Sequence, residues 1–220
     1  MELVAITLAR ITALVQLHAW DPFGKTSTLE AIRALGDKYS FAKVPRTFAE
    51  LDPQKGIELA EGRLDDIVVD KITVYVNGLM VDTRSSTDNS EKVLNSLLEL
   101  VHQAFGATIR PVRRTFTSQL VFKSDLRLAS LNPALEKIAE RVTTNASADM
   151  KHAFRFEPTA ILINTDLSQT KIAPSVFSVE RLAETPFTEN TYFSVAPMKT
   201  SDHLDLVREF ESALLAPGPD

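Results

Sequence analysis

A chain of 220 residues with 44% hydrophobic side chains is long enough to bury a core of its own, and a net charge of −5 argues against a dedicated nucleic-acid binder. It contains no cysteine, which excludes disulfides, thiolate chemistry and cysteine-ligated metals and fits a reducing, cytoplasmic setting. The first 20 residues are apolar, but Glu2 and Arg10 interrupt them, so neither a signal peptide nor a membrane span is expected.

Residues 4–20 read as a long strand or as a helix, and their β-branched content favours the strand. Asp21-Pro22 ends the element. Ser27 or Thr28 caps a helix expected to run to Leu35, with Gly36 as its stop. Residues 39–66 are punctuated by Pro45, Pro53, Gly56 and Gly62, and only a short strand near 57–60 is expected there. Residues 67–76 and 79–81 flank Asn77-Gly78 and predict a hairpin with a type I′ turn, whose two central residues need positive φ.

Asp88 and Glu91 resemble an Asp-led capping box. Val93, Leu94, Leu97, Leu98, Val101 and Phe105 then form an apolar helical stripe that Gly106 ends. Residues 112–123 read as a strand. Asn132-Pro133 starts a helix whose expected inner stripe is Leu135, Ile138, Ala139 and Val142. Strands are expected at 153–163, 175–182 and 191–196. A last helix begins at Thr200 or Ser201, with Leu204, Val207, Phe210 and Leu214 inward.

These elements predict an α+β domain, 1–220, with a mainly antiparallel sheet and helices packed on one face. A looser subdomain over residues 1–66 is the alternative division. No internal repeat is legible.

The segment Ala19-Trp20-Asp21-Pro22-Phe23-Gly24-Lys25-Thr26 fits a relaxed phosphate-loop pattern. In such a loop backbone amides wrap the phosphate, Lys25 neutralises charge and Thr26 binds magnesium. Asp21 and Pro22 work against it, one by its charge and the other by lacking an amide donor. Residues 110–127 carry Arg110, Arg113, Arg114, Lys123 and Arg127 against Asp125 alone. Arg113 and Lys123 fall on the polar parity of the strand, where phosphates or an acidic partner can bind. Arg114 falls on the apolar parity, as a buried ion-pair partner or the mark of a bulge.

The acids at 65–70 and 82–91 read as loop and cap residues. Ser201, His203 and Asp205 share one helical turn and point apart, so they make no triad. Ile67–Val69 and Ala160–Ile163 are apolar on both parities, which calls for cover on both sides and points to a partner subunit.

The function these features predict is a non-enzymatic binding or assembly protein, expected to self-associate or to bind a protein partner, with no cofactor and no metal. Two alternatives remain. One is a phosphate-loop enzyme of nucleoside triphosphates using Gly24, Lys25 and Thr26. The other is a nucleic-acid or anionic-ligand binder using Arg110, Arg113 and Lys123.

Overall fold

The computed structural model of the protein describes residues 1–15, 28–106, 109–125, 127–169 and 173–215. Four helices and an antiparallel sheet of eight strands give the expected α+β class. The chain divides into two compact units. The larger holds Ile6–Gln119 and Pro197–Asp202; the smaller holds Met1–Ala5, Leu120–Ala196 and His203–Asp220.

The strand reading of the N-terminal segment holds: β1 spans Glu2–Val15. Its residues alternate, with Ala9, Ile11, Ala13 and Val15 buried and the even positions between them only half-buried. That period of two marks a strand with one covered face. Helix α1 (Thr28–Tyr39) runs through Gly36 instead of stopping there. The residues beyond it explain this, because Tyr39 is fully buried and its hydroxyl bonds Ser96 Oγ at 3.2 Å. Burying a side chain of that size outweighs the roughly 1 kcal/mol that a mid-helix glycine costs.

Strands β2 (Ile57–Leu64), β3 (Ile67–Tyr75) and β4 (Gly78–Thr83) follow as antiparallel neighbours, and β4 pairs with β1. The β3–β4 hairpin is where expected, but its turn is not type I′. Tyr75 pairs with Gly78, so the two loop residues are Val76 and Asn77. Neither is among the residues with positive φ. Gly78 is a strand residue, and its role is steric. A Cβ there would sit 2.8 Å from the carbonyl oxygen of Ala13 on β1.

Helix α2 (Thr87–Phe105) lays Val93, Leu94, Leu97 and Val101 into the core. Each such side chain contributes about 1.5–3 kcal/mol on burial. Its cap is Ser86, whose Oγ accepts from Asn89 N at 3.1 Å, and not Asp88. Gly106 ends it with φ 64°. Asp82, read from the sequence as a residue following the strand, lies inside β4 opposite Arg10. The two form a bidentate pair at 2.7 and 2.8 Å, with Asp82 buried.

The rest of the chain repeats this order. Strand β5 (Pro111–Lys123), helix α3 (Pro133–Met150), strands β6 (Ala160–Ile163), β7 (Phe177–Arg181) and β8 (Thr191–Ala196), and helix α4 (Thr200–Leu215) match β1, α1, β2, β3, β4 and α2 in turn. Strand order matches as well: β2-β3-β4-β1 in the first set and β6-β7-β8-β5 in the second. The spacing agrees at one junction to the residue. Four positions separate Thr83, the end of β4, from Thr87, and four separate Ala196, the end of β8, from Thr200. These two threonines cap each other's helix: Thr87 N–H donates to Thr200 Oγ1 at 3.1 Å, and Thr200 N–H donates to Thr87 Oγ1 at 2.9 Å. Each pair satisfies an amide that a helix start leaves without a partner.

Candidate functional site

The two sets of elements differ in one place. In the first, α1 buries Ala31, Ile32, Leu35 and Tyr39, and β2 buries Ile57 and Leu59. In the second, none of the α3 side chains described is buried. Asn132 caps α3 as expected, its side chain accepting from Ala134 N at 3.0 Å. The expected inner stripe is corrected. The half-buried positions are Glu136, Ala139, Thr143, Ala146 and Ser147, a polar and small-residue stripe at helical spacing. Leu135, Ile138 and Val142 lie to one side of it and are 46%, 58% and 42% exposed.

The reason is the segment after the helix. It is not the strand expected from residue 153. It runs back along α3, with Phe154 N–H donating to Ser147 Oγ and Phe156 N–H to Thr143 Oγ1, both at 3.0 Å. These hydroxyl contacts fix which stripe faces inward. They leave Phe154 and Phe156 exposed along with the apolar side of the helix.

A cleft of about 560 Å³ lies between the helix and this segment, lined by Arg127, Glu136, Thr143, Arg155, Phe156 and Glu157 among others. Glu157, whose side chain is 5% exposed, pairs with Arg127 at 3.1 Å and with Arg155. Arg127 also stands 3.7 Å from Glu136. Both cations of the cleft are thus paired with its carboxylates.

Strand β6 follows and is the last strand of its set. Among the described residues it pairs with β7 alone. Arg181 N–H donates to Thr159 O at 2.8 Å. By the alternation of an antiparallel ladder, Ile161 and Ile163 also spend their backbone groups on β7, and Ala160 and Leu162 turn theirs outward. Leu162 and Ile163 are 59% and 61% exposed.

Edges of this kind are usually blunted by charge, proline or a bulge. The matching edge at β2 is blunted. Glu61, at φ 59°, places a charge within it, and Lys43 bridges Ala60 by backbone bonds of 3.1 and 2.9 Å. Strand β6 reads Ala-Ile-Leu-Ile, without a charge, and among the described residues no strand covers its outer side.

The other candidate residues fall elsewhere. Gly24, Lys25 and Thr26 lie outside the described residues. Arg110 and Arg113 belong to the larger unit and Lys123 to the smaller; all three are exposed, and none forms an ion pair with a described residue. Arg114 is an ion-pair partner, but an exposed one and not a buried one. It reaches α2, bonding Glu91 at 2.6 Å and Asn95 at 3.0 Å. Burial pushes the Glu91 carboxyl up, but hydrogen bonds from Arg114 and Lys199 outweigh that and hold it below the usual range.

His203 is fully buried, and its partner is neither Ser201 nor Asp205. Its Nε2 lies 2.8 Å from Ser194 Oγ. Ser194 spends its one proton on Ser178 O at 2.7 Å, so His203 Nε2–H is the donor to Ser194. Nδ1 is then left buried without a partner. A serine that donates to a carbonyl is not activated by this histidine, so the pair is structural.

Among the described residues no cluster of potential metal ligands occurs, and no helix is long and apolar enough to cross a membrane. No family model matches the chain, and no curated protein does.

Proposed function

We propose that this chain is a non-enzymatic binding or assembly protein, and that its docking surface is α3 together with the open edge of β6. The observation that carries this reading is the contrast between the two matching sets of elements. The layer that is buried in one is left in solvent in the other, with its apolar side chains retained. Exposed apolar surface of this kind, on elements whose counterparts are buried, supports an interaction site. A reducing compartment belongs to the same proposal, on the absence of cysteine, and cell fractionation checks it.

The variant Ile138→Glu with Leu162→Lys places two charges on this surface. Both residues are more than half exposed, so the fold should lose less than about 1 kcal/mol by thermal unfolding. In extract of its own cells the wild-type chain should run in a larger particle than the variant does. Equal sizes for the two would sink the reading.

Arg110 and Arg113, exposed and without described ion-pair partners, support a second reading, the docking of an anionic ligand. Binding to a polyanion column should then weaken with salt, and Arg113→Glu should elute earlier than wild type. Identical elution would remove this reading.

A further inference from the structure

We infer that the strand completing β6 is β6 of a second copy of the chain, antiparallel to the first about a two-fold axis through Ile161. This rests on the docking reading above and names the partner. An antiparallel register centred on Ile161 sets Ala160 opposite Leu162 of the other copy. Those are the two residues whose N–H and C=O point outward, so each outward group meets its complement and the ladder closes with none left over. Ile161 then faces its own copy in a non-hydrogen-bonded pair.

Charge permits this register. No ionisable side chain lies within β6, so like charges never face each other across the axis, as they do in many self-pairings. Pro158, two residues before β6, has no N–H to extend the ladder, which keeps it short. The alternative edge within this protein, β2, is already bridged by Lys43 and carries the charges of Glu58, Glu61 and Arg63. A strand-shaped mate from another copy is therefore β6 itself. A four-residue ladder buries too little surface for a stable dimer, which needs roughly 1,200 Å² or more. The exposed Leu135, Ile138, Val142, Phe154 and Phe156 supply the remaining apolar area.

The test uses the pure full-length chain. Light scattering at about 100 µM, enough to populate a dimer of micromolar Kd, should give twice the 24.4 kDa chain mass. Leu162→Pro removes an outward N–H and spares the bonds to β7, so it should be monomeric with an unchanged circular dichroism spectrum. The chain has no cysteine of its own, so a single introduced one can form only an intermolecular disulfide. Facing residues of a non-hydrogen-bonded pair stand about 4.5 Å apart at Cα, within disulfide reach. Mild oxidation of Ile161→Cys should give a covalent dimer, and of Val68→Cys, 55% exposed on β3, none. A monomeric wild type, or equal cross-linking of the two cysteine variants, overturns the inference. If the extract particle is still lost in Ile138→Glu with Leu162→Lys, the docking reading survives with a different partner. If it is not, both fall.

Discussion

Gly78→Ala is expected to destabilise the protein by about 2–3 kcal/mol, and Asn77→Ala by almost nothing. The added methyl at position 78 would lie 2.8 Å from Ala13 O. That oxygen is backbone in the neighbouring strand and cannot swing aside as a side chain would. Either β1 and β4 separate locally or the hairpin shifts, and both loosen a ladder that runs from Ala9–Thr83 to Leu14–Gly78. Asn77 behaves differently because its φ is not positive. Had the turn been type I′, Asn77→Ala would force alanine into a left-handed conformation costing roughly 1–2 kcal/mol. Urea unfolding of the two variants separates the accounts. A neutral Gly78→Ala with a costly Asn77→Ala would show the turn geometry to be wrong.

The second large effect is in the response to acid. Burial pushes the His203 imidazole down to about 4. The ordinary value, which the unfolded chain regains, is about 6.5. Above pH 6.5 both states are neutral and the histidine has no influence. Between 6.5 and 4 the unfolded state binds the proton and the folded state does not, so stability falls as pH falls. The loss is complete near pH 4 and amounts to about 3 kcal/mol. His203→Phe removes the titration and keeps an aromatic ring near Phe177, which now stands edge-on to His203 at 6.4 Å. The difference in unfolding free energy between wild type and variant should therefore change across this window and stay flat above it. A constant difference from pH 7 to pH 4 would mean that the imidazole is solvated in the folded state.

Much of the fold was legible. The alternation in β1, the stripe of α2, the Asn-Pro start of α3 and the bounds of β8 follow from local rules, because there local preference and tertiary burial agree. Where they disagree, the sequence misleads. Gly36 reads as a stop, but Tyr39 has a buried slot beyond it. Asn-Gly reads as a type I′ turn, but here the glycine is needed for a close approach to β1, and close approaches belong to the tertiary structure.

The repeated order of elements carries no sequence repeat because burial, not residue identity, is what the two sets share. Ser90 and His203 each stand three residues into their helix and each is fully buried, yet one bonds Ala9 O and the other Ser194 Oγ. The proposed docking surface was half legible. Ala160–Ile163, apolar on both parities, already marks the strand whose side chains are left exposed. The stripe Leu135–Ile138–Val142 reads as core in any amphipathic helix, and only the hydroxyl contacts of Thr143 and Ser147 reveal which side turns inward.

Hydrogen exchange at two amides tests the central claim most directly. Ala160 and Leu162 point their N–H groups away from β7, so no described residue of the single chain protects them. In the assembled protein both should exchange slowly, at a rate that rises on dilution and reaches that of an open strand in Leu162→Pro at Ala160. Fast exchange at both positions, in protein that light scattering shows to be assembled, would place the docking surface elsewhere and contradict this account.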